Sequence, residues 1–216
     1  MQRSPSSRAF TLIEMITVIA IIAILSGLVL SISGLVQNKG ARAKAETEIK
    51  ALSSGLESYK TDFGGYPQDT ATDALDPRIS SSPTSYSKAS LALYKALSGD
   101  LNANGKIDAS GSDPEKANNY VPDFFRPSRF DSAAREQMNK GAGTVTISYI
   151  VDPFGYCYGY STIGLKTEQE YRVKLLTNPD AERPASLGYN PTFDLWSTGG
   201  GTTSSEKDRA KWVKNW

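Results

Sequence analysis

Histidine is absent from all 216 residues. That removes the commonest general base, the Ser-His-Asp arrangement and every histidine-based metal site. Cysteine is nearly absent too: with Cys157 alone, there is no intrachain disulfide and no thiolate zinc cluster. Cys157 lies in the aromatic run YCYGY, which reads as a strand. It is expected as a small buried apolar residue, with a reactive thiol as the alternative. An excess of either charge is also missing. Lys and Arg number 24 against 23 Asp and Glu, a net +1. A nucleic-acid or anionic-lipid partner would require a clear basic excess, so no nucleic-acid role is expected.

Charge is missing altogether from Met15 to Val36, 22 residues in a row. As a helix this run measures about 33 Å, enough to cross a hydrocarbon core of about 30 Å. Glu14 sits just inside its start, and Arg3 and Arg8 sit just outside it. Positive residues ahead of a span favour the cytoplasm, so the bulk of the chain is expected to be exported. Three readings compete: a removed signal peptide, a plain single-span anchor, or a processed helix that stays with the mature chain. The apolar run is longer than the 7–15 residues of a signal-peptide core and flows straight into more helix.

Ala9-Phe10-Thr11-Leu12-Ile13-Glu14, followed by the apolar run, resembles the cleavage region of type IV prepilins and type II secretion pseudopilins. The resemblance implies that a prepilin peptidase cuts between Ala9 and Phe10 on the cytoplasmic side and methylates the new N-terminus. Ala9 stands where the family usually has Gly. It further implies that Glu14 pairs with the amine of a neighbouring subunit and sets the stagger of a growing filament. From the residues alone, a Glu14 that snorkels to the headgroup level is the alternative. An ionised carboxylate at the centre of a membrane helix costs about 2.5–3.5 kcal/mol on insertion scales, which favours a partner.

The helix is expected to continue past the apolar run. Ala45, Ile49, Leu52, Leu56, Tyr59 and Phe63 recur every three or four residues and form one apolar stripe. Lys44, Glu46, Glu48, Lys50, Glu57 and Lys60 are assigned to the opposite face, with Glu46 and Lys50 as an i,i+4 pair. Gly64-Gly65-Tyr66-Pro67 ends the helix. The segment from Gln37 to Pro67 is similar to the stretch that follows the span in major pseudopilins. Residues 68–87 read as a surface loop, 89–97 as a short amphipathic helix and 132–139 as another.

Between those two helices lies the one candidate metal loop. Asp100, Asn102, Asn104 and Asp108 place oxygens at positions one, three, five and nine of an EF-hand-like loop. Lys106 stands at seven, where such loops use a backbone carbonyl, and Gly105 turns at six. Position twelve, normally a bidentate Glu, is Gly111; Asp113 and Glu115 follow. A weak Ca2+ site, of about 10⁻⁴–10⁻³ M, and a metal-free Asn/Asp/Gly turn both remain open.

The C-terminal third reads as a small antiparallel sheet, with strands expected at 144–151, 156–162, 171–176 and, last, 192–197. DPFGYCYGYST, FDLWSTGG and the ending WVKNW resemble the corresponding turn, last strand and terminus of major pseudopilins. In that family the loop after the last strand binds calcium through acidic residues; here only Glu206 and Asp208 are available.

The expected fold class is α+β: a long N-terminal α-helix, membrane-spanning in its first half, packed on a small antiparallel β-sheet head. The divisions are a leader at 1–9, helix halves at 10–36 and 37–63, and a periplasmic head at 64–216. The function implied by the resemblance is structural. The chain would be a non-enzymatic subunit that polymerises into a periplasmic filament for type II secretion. Its partners would be copies of itself, minor pseudopilins, the prepilin peptidase, and an inner-membrane assembly platform with its ATPase. The alternatives are a type IV pilus subunit, a membrane-anchored binding module using the Asp100 loop and the aromatic insertion, or an anchored enzyme working through carboxylates such as Asp131 and Glu136.

Overall fold

The structure, a computed structural model, describes residues 10–80, 82–109, 114–118, 120–121, 124–185, 187–203 and 205–216, with the side chains of 29–33 and 35 outside that set. The leader and Ala9 therefore lie outside the described residues, as do Gly111 and Asp113. Contacts divide the chain into two compact units, the first ending at Ala41 and the second running Arg42–Trp216.

Helix α1, Leu12–Phe63, begins in the first unit and ends in the second. In the first unit its described large apolar side chains, from Leu12 to Leu28, are all exposed. Among the described residues no helix is long and apolar enough to cross a membrane.

In the second unit α1 carries the expected stripe. Ala45, Ile49, Leu52 and Leu56 are buried, Tyr59 is half-buried, and Phe63 alone has turned outward at 59% exposure. The stripe seats the head: these residues pack in one cluster with Leu93 and Leu97, Ile147 and Ile150, and Tyr158, Tyr160 and Leu195. The helix stops where Gly64 adopts φ +78° and donates to the Lys60 carbonyl, a left-handed ending that glycine accepts without strain. Glu48 corrects the expected face, because it is buried with the stripe. Glu46 pairs with Arg42 at 3.4 Å rather than with Lys50.

The supposed loop at 68–87 contains α2 (Thr70–Ala74) and a 3-10 turn (Pro83–Tyr86). Asp69 caps α2 by accepting the Thr72 N–H while Thr72 returns the bond, a closed capping box. Helix α3 (Ser87–Ser98) covers the amphipathic helix expected at 89–97, and α4 (Ser132–Asn139) falls as expected.

The sheet has three antiparallel strands in the order β1 (Gly159–Ser161), β2 (Asp194–Ser197), β3 (Val213–Lys214). Gly159 faces Trp196, and Trp196 faces Lys214. Three strand expectations are corrected. Residues 144–151 form no strand and pair only through single bridges at Ile150 and Val151. Their N–H groups go mostly to side chains and a loop: Thr146 to Gln137 of α4, Ile147 to the Ala103 carbonyl, Ser148 to the Asp131 carboxylate and Ile150 to the Ser90 hydroxyl of α3. Residues 171–176 lie inside a helix, α5 (Ile163–Thr177), held by the i,i+4 pair Glu168–Arg172 at 3.0 Å. The last strand is β3, not 192–197, and a short helix α6 (Glu206–Arg209) leads into it.

Behind the sheet, Tyr86, Trp196, Trp212 and Cys157 form a second core cluster. Cys157 is a buried free thiol, and burial pushes its pKa up to about 12. This is the inert, packed role expected of it. The Trp196 ring packs against Gly159, so a Cβ there would lie 2.0 Å from the indole. Gly159→Ala is therefore expected to destabilise the head by about 3 kcal/mol, read as a drop in urea midpoint at unchanged m-value.

Candidate functional site

The first site is the start of α1. Thr11 precedes the first helical residue and Glu14 sits three positions on. The Thr11 N–H and hydroxyl both donate to Glu14 Oε2 at 2.8 Å, and the Glu14 N–H points at the Thr11 hydroxyl at 3.3 Å. This is a capping box, and it holds the carboxylate at the positive end of the helix dipole. Phe10, Leu12 and Ile13 around it are more than 70% exposed. Apolar side chains exposed in this number mark a surface that associates with another. The structure thus places Phe10 and Glu14 together at one tip, with Ala9 outside the described residues.

The second site joins α1 to the head and was missed from sequence. Glu48 Oε1 accepts from Arg129 Nη2 in an ion pair, and Glu48 Oε2 accepts the Tyr158 hydroxyl at 2.6 Å. All three side chains are largely withdrawn from water, and the Arg129 guanidinium also lies over the Phe124 ring. Burial raises the Tyr158 pKa far above its ordinary value, so it stays a donor. The signal was present: Glu48 is three residues after Ala45 and four before Leu52, within the apolar stripe itself.

The third is the Asp100 loop. Asp100 is buried and accepts N–H bonds from Asn104 and Gly105 and the Tyr94 hydroxyl at 2.6 Å. The side-chain amides of Asn102 and Asn104 both donate to Asp108 Oδ2, at 3.0 and 2.7 Å, and hold its pKa below the usual carboxylate range. Lys106 contributes its N–H to Asn104 Oδ1. Glu115, displaced from the EF-hand register, closes the loop by accepting the N–H groups of Asp108 and Asn102, which lower its pKa. Among the described residues no group of three or more acidic or cysteine side chains is placed to hold a metal ion.

The loop before β3 is tied by Asp208. Lys211 Nζ lies 2.7 Å from its Oδ1, and the Thr203 hydroxyl lies 2.6 Å from its Oδ2. The lysine contact, ahead of the threonine one, drives the Asp208 pKa far down. Asp131 and Glu136 do not converge. Asp131 is buried as the cap of α4 and holds the Ser148 N–H, whereas Glu136 pairs with Lys140 on the surface.

Comparison with known proteins gives matches to one family. The prokaryotic N-terminal methylation motif matches residues 4–30. The type II secretion system core protein G of Klebsiella michiganensis is 42% identical over 65 residues, covering 30% of this chain and 46% of that protein. The protein of the same name from Escherichia coli strain K12 is 32% identical over 123 residues, 56% of this chain and 74% of that protein. The chain thus spans less than half of the first relative and about three quarters of the second. No solved structure matches it. With an apolar rod headed by Glu14 and a small antiparallel sheet seated on its continuation, the chain belongs to the family of type II secretion system core protein G, the major pseudopilins.

Proposed function

We propose that this chain is a structural pseudopilin that stacks, apolar rod inward, into a periplasmic filament of a type II secretion system. The reading is carried by one observation: the first turns of α1 are apolar on every face, yet the tip holds a carboxylate, Glu14, within a methylation motif. A prepilin peptidase would cut between Ala9 and Phe10, creating a positive amine four residues from Glu14. In the free subunit Glu14 is satisfied by Thr11; in a stack, a neighbour's amine supplies a full opposite charge, which a dry setting strengthens. Minor pseudopilins, an assembly platform in the inner membrane and its ATPase belong to the same proposal. Deleting the chain tests it: secretion of the system's substrates stops while surface pili remain. Loss of surface pili with secretion intact would favour a type IV pilus subunit.

A calcium ion at the Asp100 loop is a second, separable proposal. It is supported by Asp100 accepting from residues four and five positions on, the pattern that wraps such a loop around a cation. Asp100, Asn102, Asn104, Asp108 and the Lys106 carbonyl would hold it, once the two Asn amides turned from Asp108. For a dissociation constant near 0.5 mM, 5 mM calcium is expected to stabilise the chain by about 1.4 kcal/mol, and Asp108→Ala to abolish the gain. A melting temperature indifferent to calcium makes the loop a metal-free turn.

A further inference from the structure

One face of the head is open. Ile49, Phe193, Trp212 and Val213, each buried at 4–5% exposure, form the bottom of a groove of 670 Å3, a size that accommodates several side chains. Its rim carries Arg42, Lys50 and Lys214 and one acid, Glu46. Arg42 is already engaged, with Glu46 at 3.4 Å and the Lys211 carbonyl at 2.8 Å. Lys50 and Lys214 have no carboxylate partner among the described residues; Lys214 lies against the Trp216 ring at 5.1 Å.

A different patch of the same head has the complementary character. The last turns of α5 hold Val173 and Leu176 out in water, at 63% and 84% exposure. The chain then folds back on itself: Arg183 donates to Glu168 at 2.9 Å and covers the Tyr171 ring. That clasp fixes the loop between, which presents Asp180 and Glu182, both exposed and without a cationic partner among the described residues. Two apolar side chains followed by two unmatched acids face the chemistry of an apolar floor rimmed by two unmatched cations.

We propose that the groove of one copy takes the end of α5 from a second copy, with Val173 and Leu176 on the apolar floor and Asp180 and Glu182 against Lys50 and Lys214. This contact rests on the filament reading above. Groove and knob are separate patches, so the contact is heterologous: each copy offers one of each, and contacts propagate from copy to copy instead of pairing two-fold.

The test uses the full chain in a secretion-competent host, with fibre yield as the readout. Lys50→Glu with Lys214→Glu, and separately Asp180→Lys with Glu182→Lys, are each expected to lower fibre yield about tenfold or more by setting like charges against each other. Combining all four is expected to restore yield to within about threefold, because the ion pairs re-form with signs exchanged. All four positions are exposed, so the head should stay folded in every variant, with a melting temperature lowered by a few degrees at most where Lys214 leaves the Trp216 and Tyr189 rings. Full fibre yield in either paired variant, or a fourfold variant no better than the pairs, overturns the contact and leaves the filament reading standing. Fibres intact but secretion lost in the groove variant also overturns it, and assigns the groove to a different protein. An unmodified chain that forms no fibres overturns the filament reading and this contact with it.

Discussion

Glu14→Ala is expected to abolish filament assembly while leaving the head folded. The carboxylate is surrounded by exposed apolar side chains at the tip of α1, so on stacking it enters a setting where an unmatched charge is costly. Removing it leaves the neighbour's amine without a partner in that setting. Truncating one member of a desolvated charge pair costs about 2–5 kcal/mol. At the lower figure, each subunit addition weakens about 30-fold. The substitution also opens the capping box with Thr11, a smaller loss of about 1 kcal/mol confined to the first turn. The two effects separate experimentally. Thr11→Val removes the hydroxyl half of the box and leaves the charge, so it should weaken assembly far less than Glu14→Ala. Equal defects in the two variants would mean that capping, not charge pairing, is the function of Glu14.

The largest effect on stability is expected at the other carboxylate of α1. Glu48→Ala leaves the Arg129 guanidinium largely buried with no counter-charge and the Tyr158 hydroxyl with no acceptor. Breaking a buried pair in this way costs about 3–5 kcal/mol. For a unit the size of this head that corresponds to a fall in melting temperature of about 6–20 °C. Replacing both partners, as Glu48→Leu with Arg129→Met, should recover most of the loss, because no charge is then stranded. Thermal unfolding of the two single variants and the double variant gives the coupling directly. If the double variant fell as far as the sum of the singles, the pair would contribute nothing beyond packing.

The same two glutamates show what a sequence discloses. Glu14 was legible because it stands alone at the rim of a long uncharged run and inside a motif of adjacent residues. Glu48 was not, because its charge matches that of the exposed Glu46 and Lys50 although its spacing from Ala45 and Leu52 puts it on the buried stripe. Its partner Arg129 is 81 residues away in sequence, and no local pattern encodes that meeting. The long helix, its glycine stop and α4 followed from periodicity and turn chemistry, which act over a few residues. The strands followed poorly, because each is only two to four residues long and exists through its partners. Residues 144–151 alternate as a strand should, yet spend their N–H groups on side chains of α3 and α4 and on a loop carbonyl. Residues 171–176 carry strand-forming Tyr and Val, but the charged i,i+4 pairs upstream carry the helix through them. Glu115 closes the Asp100 loop from outside the EF-hand register, four positions beyond position twelve.

The central claim is that the apolar rod headed by Glu14 is retained and processed at its tip, and it is tested most directly on the mature protein itself. Intact mass and N-terminal chemistry of the chain recovered from membranes or fibres should give a start at N-methylated Phe10, with residues 1–9 gone. A mature chain that still begins at Met1, or one cut near Ser33 so that the rod is lost, would contradict it.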